Sequence, residues 1–229
     1  MKASPGARSW MAAGVRHEIL TRALPALRHD MAAPVSVIRM ALLLLKRQAE
    51  KPAEIDPASL NERIALVEEQ VGAIAAGSRS LRDWELATHG DGITRGALVA
   101  QCVGLMRVPF DLHGITLEVA DSLAPTADEP RFAAAGALRY MVLGALGYLH
   151  DSIEDIARVR IEPEGADGLR FDAAAGPSAP ADPMAGAHRA PRALAIDAVA
   201  LQALAEGLGY EVAVDGASVR FGLGAKLSE

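Results

Sequence analysis

Apolar residues recur at alternating spacings of four and three along two neighbouring segments of the chain, and this pattern constrains the fold more than any other feature. Such a heptad repeat places a continuous apolar seam along one face of a helix. In the first segment, from about residue 15 to 47, the seam comprises Leu20, Leu24, Leu27, Met31, Pro34, Ile38, Ala41 and Leu45. In the second segment it comprises Leu60, Ile64, Val67, Val71, Ile74, Ser78 and Leu81.

The stretch between the two segments, QAEKPAEIDP, is short and contains two prolines, so the sequence predicts an antiparallel helical hairpin. Ser59 and Glu62 have the spacing of a capping box and predict the start of the second helix. One partner helix cannot cover a whole seam, whereas two hairpins that pair as a four-helix bundle can. We therefore predict a flexible N-terminus over residues 1–13 and a homodimeric hairpin over residues 14–88.

A Gly-rich segment, THGDGITRG, separates the hairpin from a region in which helical and strand patterns alternate. Helices are predicted at about 97–106, 130–149 and 194–207, and strands at 115–119, 158–162 and 168–172. A final hairpin turns at Asp215 and Gly216. The Ala-, Pro- and Gly-rich stretch 173–191 is predicted to be a mobile loop. The fold class is α+β, in which a dimeric four-helix bundle precedes an α/β sandwich that spans residues 96–229.

The charge balance excludes several classes of partner. A formal net charge of -6 and a pI near 5.6 argue against general affinity for nucleic acid or anionic lipid, which requires a basic surface. Cys102 has no second cysteine to pair with and is expected to be a buried, reduced thiol. The sequence contains no signal-peptide core and no uninterrupted apolar run of membrane-spanning length, so we expect a cytoplasmic protein without membrane association.

His29 is the residue best placed for chemistry. It lies on the helix face opposite the seam, so its imidazole should face solvent. Pro34 lacks an amide hydrogen and should bend the helix beside it, while Asp30 can hold one imidazole nitrogen protonated and leave the other nucleophilic. An idle surface histidine is the alternative. The residues one turn away are all small, which leaves room for a bulky partner: Pro25, Ala26, Ala32 and Ala33.

The segment LRHDMAAPVSVIRMALLLL resembles the phosphoacceptor box of two-component histidine kinases. In that family a histidine and an acid precede a proline by five and four residues on the first helix of a dimerisation hairpin. His29, Asp30 and Pro34 match these positions. The resemblance implies that His29 accepts a phosphoryl group and that Asp30 assists.

The second region is similar to the ATP-binding domain of the same family, through LVAQCVGLMRVPFDLHGITLEVADS and ALRYMVLGALGYLHDS. Gly144 and Tyr148 stand where the family presents asparagines to Mg-ATP, and neither can replace an amide there. The acid and glycine motif survives at best as Asp172 and Gly176, while the Gly-x-Gly loop is absent from RALAIDAVALQALAEGLG. The chain therefore resembles histidine phosphotransferases of the ChpT type, which implies a degenerate domain that binds no cofactor or metal of its own.

The first helix is a basic stripe in an acidic protein, since residues 1–48 contain eight basic and two acidic side chains. The stripe is either a solvated helix face or an electrostatic dock for the acidic pocket of a receiver domain. We predict that Arg22, Arg28, Ala32, Ala33 and Ser36 contact the partner. The resemblance implies reversible phosphoryl relay between receiver aspartates and His29, with Mg²⁺ supplied by the receiver. Response-regulator receivers and an upstream hybrid histidine kinase are the expected partners.

Two other functions stay open. The chain is alternatively an ATP-dependent sensor histidine kinase with diverged nucleotide motifs, which nucleotide binding would reveal. It is alternatively a non-enzymatic dimeric scaffold in which His29 is idle, which phosphoryl labelling would reveal. The remaining histidines share no metal-ligand spacing and are expected to be solvated or capping residues, and Trp84 is expected to pack against the linker or to anchor a partner.

Overall fold

A computed structural model describes residues 4–50, 56–82, 84, 92–126, 128–176 and 194–224. The chain divides into two compact units. The first, Leu24–Glu85, is called here the hairpin unit, and the second, which combines Met1–Ala23 with Leu86–Glu229, is called the mixed unit. Helices followed by a mixed helix and sheet region confirm the predicted α+β class.

The hairpin unit consists of helix α2 and most of helix α1. Helix α1 spans Pro5–Ala49 and helix α2 spans Pro57–Arg82. The prediction that Ser59 caps α2 is wrong, because the carboxylate of Asp56 accepts the amides of Ala58 and Ser59 at 3.2 Å each. Pro57 then occupies the first helical position, where its missing amide hydrogen costs nothing.

Helix α1 begins earlier than the sequence predicts. The segment predicted to be flexible, residues 1–13, is helical from Pro5, and residues 5–23 belong to the mixed unit. The cause is a second apolar stripe on the helix, which is buried in that unit and formed by Ala12, Val15, Ile19 and Ala23. The hairpin unit is Leu24–Glu85, and the predicted bounds of 14–88 stay a prediction.

The mixed unit contains a five-stranded sheet in the order β2-β4-β5-β7-β6. Strand β2 pairs with β4 in parallel, and the other three pairings are antiparallel. A separate antiparallel pair joins β1 and β3. The strands are β1 (Ile93–Thr94), β2 (Thr116–Val119), β3 (Arg131–Phe132), β4 (Ile156–Glu164), β5 (Gly168–Ala175), β6 (Ala213–Asp215) and β7 (Ser218–Gly222).

Three further helices complete the mixed unit: α3 (Arg95–Leu112), α4 (Ala135–Ser152) and α5 (Ala198–Leu208). Helix α4 packs against both α3 and α5, and every residue from Ala137 to Leu149 is buried. Asp197 caps α5 by accepting the amide of Ala200 at 2.7 Å, which is why this helix begins after residue 194. Gly209, at φ +81°, ends it in the left-handed conformation that glycine adopts readily.

The predicted strands are present, and the turn of the last hairpin includes Gly216 as expected. Strand β5 continues to Ala175, so the first residues of the predicted mobile loop are strand, while residues 177–191 of that prediction lie outside the described residues. Among the helices that the structure describes, none has both the length and the apolar character needed to cross a membrane.

Candidate functional site

His29 lies in the part of α1 that belongs to the hairpin unit, and its side chain is 83% exposed. On the opposite face, Pro34 and Ala41 of the seam are buried and Met31 contacts α2 at Gly77, whereas Leu24 is 40% exposed. The heptad pattern predicted this orientation correctly. A partner can reach the imidazole without any rearrangement of the helix.

Asp30 stands beside the imidazole. Its Oδ1 lies 3.5 Å from His29 Nδ1, and its side chain is 72% exposed. When Nδ1–H donates a hydrogen bond to Asp30, Nε2 carries the lone pair and points away from the carboxylate. The pair can therefore present a nucleophilic nitrogen to solvent.

The surface around His29 is lined by small and exposed side chains. Ala32 and Ala33 lie one turn further along α1, and Ser36 lies two turns along and donates its hydroxyl to the carbonyl of Ala32 at 3.2 Å. Arg28 is exposed as well. The structure thus gathers these four residues around His29, and their contacts with a partner stay predictions.

Helix α1 continues unbroken through Pro34. Proline has no amide hydrogen, so the carbonyl of Asp30 receives no helical hydrogen bond from position 34. The backbone next to His29 is therefore less constrained than a regular helix, and the bend predicted there stays a prediction.

The heptad pattern did not identify a second apolar surface on the His29 face of α1. Ser36, Met40 and Leu43 follow His29 at spacings of seven, four and three, so all four residues share one face. The Met40 and Leu43 side chains are exposed. The apolar run ALLLL in the sequence could have revealed this surface, because four consecutive leucines on one helix cannot all lie in a single seam.

Arg22, the other cation predicted to contact a partner, lies in the mixed unit and is only 14% exposed. Its guanidinium donates to Glu18 at 2.9 Å and to Asp151 at 2.7 Å. It also donates to the carbonyl of Leu194 at 2.9 Å. The charge of Arg22 is therefore already compensated inside the unit, and its predicted partner contact stays a prediction.

Asp151 is the centre of this buried network. His150 Nδ1 lies 2.9 Å from one carboxylate oxygen, and the amide of Ile196 donates to the other at 2.9 Å. Burial by itself would raise the pKa of Asp151, but the hydrogen bonds from His150, Arg22 and Ile196 outweigh burial and hold the pKa well below its ordinary value. The carboxylate consequently stays ionised and fixes the N-terminal part of α1 to α4.

The face of α4 that corresponds by resemblance to the nucleotide site is filled by side chains of the mixed unit. A Cβ atom at Gly144 would lie 2.6 Å from Leu204 Cδ2 and 3.2 Å from Leu201 Cδ1. Tyr148 donates its hydroxyl to the carbonyl of Gly216 at 2.9 Å. Side chains of α5 thus lie beside Gly144, and the turn between β6 and β7 contacts Tyr148.

The two remaining positions of the resemblance lie on and directly after strand β5. Asp172 pairs with Arg170 at 2.9 Å and accepts the Ser218 hydroxyl at 2.7 Å. Gly176 directly follows strand β5. Within the described residues, no group of three or more His, Cys, Asp or Glu side chains is arranged to hold a metal ion.

The structure also shows where several other histidines, Trp84 and Cys102 lie. The ring of His150 contacts those of His113 and Phe110, with centroids 4.7 and 5.2 Å away. His17 is exposed, and His89 and His188 lie outside the described residues. Trp84 is buried in the hairpin unit. Burial raises the pKa of the Cys102 thiol to about 12, so the thiol stays protonated.

No protein-family profile matches the sequence, and no curated protein matches it either. Solved structures similar to this chain include full-length ShkA in complex with AMPPNP, at 17% identity and a TM-score of 0.33 over 87% of this chain. A histidine kinase from Burkholderia phymatum STM815 is 18% identical, with a TM-score of 0.33 over 85% of this chain and 95% of its own. The Acinetobacter baumannii histidine kinase AdeS is 10% identical, with a TM-score of 0.30 over 84% of this chain and 94% of its own. The chain spans 44% of ShkA.

Proposed function

We propose that this chain is a histidine phosphotransfer protein that receives a phosphoryl group on His29 from the aspartate of one receiver domain and returns it to another. The observation that carries the proposal is the solvent-facing His29 imidazole, 3.5 Å from Asp30 and surrounded by small side chains. The His29, Asp30 and Pro34 spacing in the sequence supports the same reaction.

In the proposed reaction, Nε2 of His29 attacks the phosphorus of an aspartyl phosphate in line with the bond that breaks. The N–P bond forms as the bond from phosphorus to the aspartate oxygen breaks, and the receiver's carboxylate leaves with the electron pair. Asp30 holds the proton on Nδ1 and offsets the positive charge that develops on the ring. Positioning and charge neutralisation supply most of the rate enhancement, with Mg²⁺ bound by the receiver rather than by this chain.

We further propose that the chain does not phosphorylate itself from ATP. Leu201 and Leu204 occupy the space beside Gly144, and Tyr148 is engaged with the backbone of Gly216. These contacts argue against the alternative of an ATP-dependent histidine kinase. The phosphoryl group must then come from a phosphorylated receiver, for which a hybrid histidine kinase is the expected source.

The docking surface proposed for the receiver is the exposed face of α1 around His29. Arg28 supplies positive charge near the imidazole, and Met40 and Leu43 supply apolar area further along the same helix. A receiver's phosphorylation pocket is acidic, so a cation beside His29 speeds encounter and orients the pocket towards the imidazole.

We propose a homodimer through the hairpin unit. Several large apolar side chains of a single hairpin are exposed to water: Val35, Leu42, Ile64, Leu66 and Val71. Soluble monomers rarely expose so many large apolar side chains on two neighbouring helices. Each is about half exposed, so burying the remainder contributes about 1 kcal/mol per residue, and several such residues from each protomer together can sustain a dimer.

Transfer of radiolabelled phosphate from a purified phospho-receiver tests the proposal. The wild-type protein should become labelled, and His29→Gln should remain unlabelled although Gln keeps the polarity and helix propensity of the position. His17→Gln is the matched control, since His17 is an exposed histidine of the same helix. The label should be stable in alkali and labile in acid, as expected for an N–P bond. Equal labelling of His29→Gln and wild type would show that His29 is not the acceptor and would leave the scaffold alternative.

A further inference from the structure

The N-terminal part of α1 carries a stripe of residues on the helix face opposite its buried stripe. We call it the outer stripe, and it consists of Trp10, Ala13, His17 and Leu20. Trp10 lies nine residues before Ile19 of the buried stripe, which places the two on opposite sides of the helix. Trp10 is 82% exposed, the highest value among the large exposed apolar residues that the structure describes. The largest apolar side chain of α1 therefore faces water.

Leu194 enlarges the apolar surface around the outer stripe. It is 55% exposed, and its Cδ1 lies 3.8 Å from the position that a Cβ atom would take at Gly14. Gly14 is one turn from Trp10 on α1, so both apolar side chains border the same face. An exposed tryptophan beside a second exposed apolar side chain is typical of an interaction surface.

The spacing of the outer stripe indicates which kind of element covers it. Its residues follow one another at intervals of three, four and three, which is the pattern of a coiled-coil seam that packs against another helix. In the sequence the same alternation continues through Leu24, Leu27 and Met31 into the seam of the hairpin. A dimer brings identical seams together about its two-fold axis, so the helix expected on the outer stripe is the same helix of a second copy.

Helix α2 covers only part of this seam. Met31 of α1 contacts α2 at Gly77, and α2 ends at Arg82, five residues later. In an antiparallel hairpin, α2 therefore reaches back to about residue 26 of α1. Leu24 is 40% exposed, in agreement with this limit. Upstream of that point, the further helix that a dimer supplies along the seam is the second α1.

We propose that the outer stripe pairs in parallel with the outer stripe of a second copy of this chain, so that each residue faces its own counterpart. This pairing extends the hairpin dimer proposed above and rests on it. Trp10 and Leu20 supply apolar area, and the small side chain of Ala13 lets the two helices approach closely. His17 is the polar member of the stripe, and a polar residue at one position of an apolar seam fixes the register of the two helices.

Disulfide crosslinking of the full chain tests this pairing, since Cys102 is buried and an introduced cysteine is then the reactive thiol. Ala13→Cys and Leu20→Cys place a thiol on the outer stripe, two turns apart. Both variants should become covalent dimers under mild oxidation, because a disulfide requires the two backbones to lie close together. Arg8→Cys is the matched control on the opposite face of the same helix, where only an exposed ion pair with Glu206 is lost, and it should stay largely monomeric on a denaturing gel. An antiparallel pair would bring a residue to its own counterpart at one position only, so crosslinking at both positions requires parallel helices.

The dimer dissociation constant provides a second measurement. Trp10→Glu should raise it at least about tenfold, because a carboxylate would then be buried against its own counterpart. Val108→Glu is the control, since Val108 is a 63% exposed apolar residue of α3, and it should leave the constant unchanged. Sedimentation equilibrium measures both variants against the wild-type protein.

The outcomes separate this inference from the hairpin dimer. A dimeric wild-type protein whose Ala13→Cys and Leu20→Cys variants do not both crosslink overturns the inference and leaves the hairpin dimer standing. The inference is equally overturned if Arg8→Cys crosslinks as readily as they do, or if Trp10→Glu dimerises as tightly as Val108→Glu. A monomeric wild-type protein without crosslinks overturns both proposals. Crosslinking of Ala13→Cys that persists after Val71→Glu would support the pairing of the outer stripes and contradict the hairpin as the main source of the dimer.

Discussion

The guanidinium of Arg22 donates to the carboxylate of Asp151 at 2.7 Å across 129 residues of sequence. The Asp151 side chain is almost fully buried, and the pair joins the N-terminal part of α1 to α4 within the mixed unit. Removing one member of a buried ion pair leaves the other charged without compensation, which costs more than the pair itself contributes. We therefore expect substitutions at Arg22 or Asp151 to lower the stability of the mixed unit strongly.

Arg22→Met should lower the free energy of unfolding by about 3–5 kcal/mol, because the buried carboxylates of Glu18 and Asp151 would both lose the guanidinium that compensates their charge. Arg28→Met is the matched control, since Arg28 is exposed, and it should change stability by less than about 0.5 kcal/mol. Urea denaturation followed by circular dichroism measures both. Equal loss in the two variants would contradict the structural role of Arg22.

Stability should fall in acid through Asp151. Its folded pKa is held below the unfolded value of about 3.9, so the stabilisation is fully present above that value and is lost as pH falls through the lower folded pKa. The urea midpoint should therefore decrease more steeply between about pH 5 and pH 2 for wild type than for Asp151→Asn, which cannot ionise. Parallel curves for the two proteins would exclude Asp151 as a source of the acid sensitivity.

The hairpin and the outward position of His29 were predictable because heptad spacing is a local property of the sequence. The alternation of helices and strands in the mixed unit was predictable for the same reason. The burial of Arg22 was not, since it depends on Asp151 and Leu194, which lie far along the chain. The heptad pattern did not predict that α1 begins at Pro5. Ala12 and Ala23 are small residues, and their burial depends on contacts within the mixed unit that a local pattern does not contain.

Helix capping shows a further limit of local patterns. Ser59 and Glu62 have the spacing of a capping box, but Asp56 followed by Pro57 provides a start three residues earlier. The sequence allows the helix to start at either position. It starts after Asp56, because the Asp56 carboxylate accepts two backbone amides. The sequence also could not predict what lies beside Gly144 on α4. It shows that glycine stands where the resemblance calls for an asparagine, but not that Leu201 and Leu204 occupy the space.

Gly144→Ala should destabilise the protein by about 1–3 kcal/mol, since the added methyl group would lie 2.6 Å from Leu204. Gly104→Ala is the matched control, because it is also a helical glycine but has no atom within 4 Å of its would-be Cβ. That control should raise stability by up to about 1 kcal/mol through better helix propensity. Thermal denaturation compares the two, and a stabilised Gly144→Ala would show that Leu204 does not fill the space beside Gly144.

Val71→Glu should convert the proposed dimer into monomers, because the side chain is 54% exposed on a single hairpin and the dimer would bury it. Ile38→Glu should do the same but should also weaken the hairpin, since Ile38 is already half-buried within it. Val108→Glu, at an exposed position of α3, should leave the assembly unchanged. Light scattering at micromolar concentration measures the mass, and a monomeric wild-type protein would refute the dimer.

Arg28→Glu should separate docking from chemistry. The substitution reverses an exposed charge one residue from His29, so association with a phospho-receiver should slow by about tenfold at low salt and its dependence on ionic strength should weaken. The phosphoryl-transfer rate at saturating receiver should change little, because Arg28 holds neither the nucleophile nor the proton. Arg107→Glu reverses a charge that is also exposed, on α3, and should leave association nearly unchanged. Stopped-flow measurements at several salt concentrations give both rates, and identical salt dependence in wild type and Arg28→Glu would show that the basic stripe on α1 is only a solvated helix face.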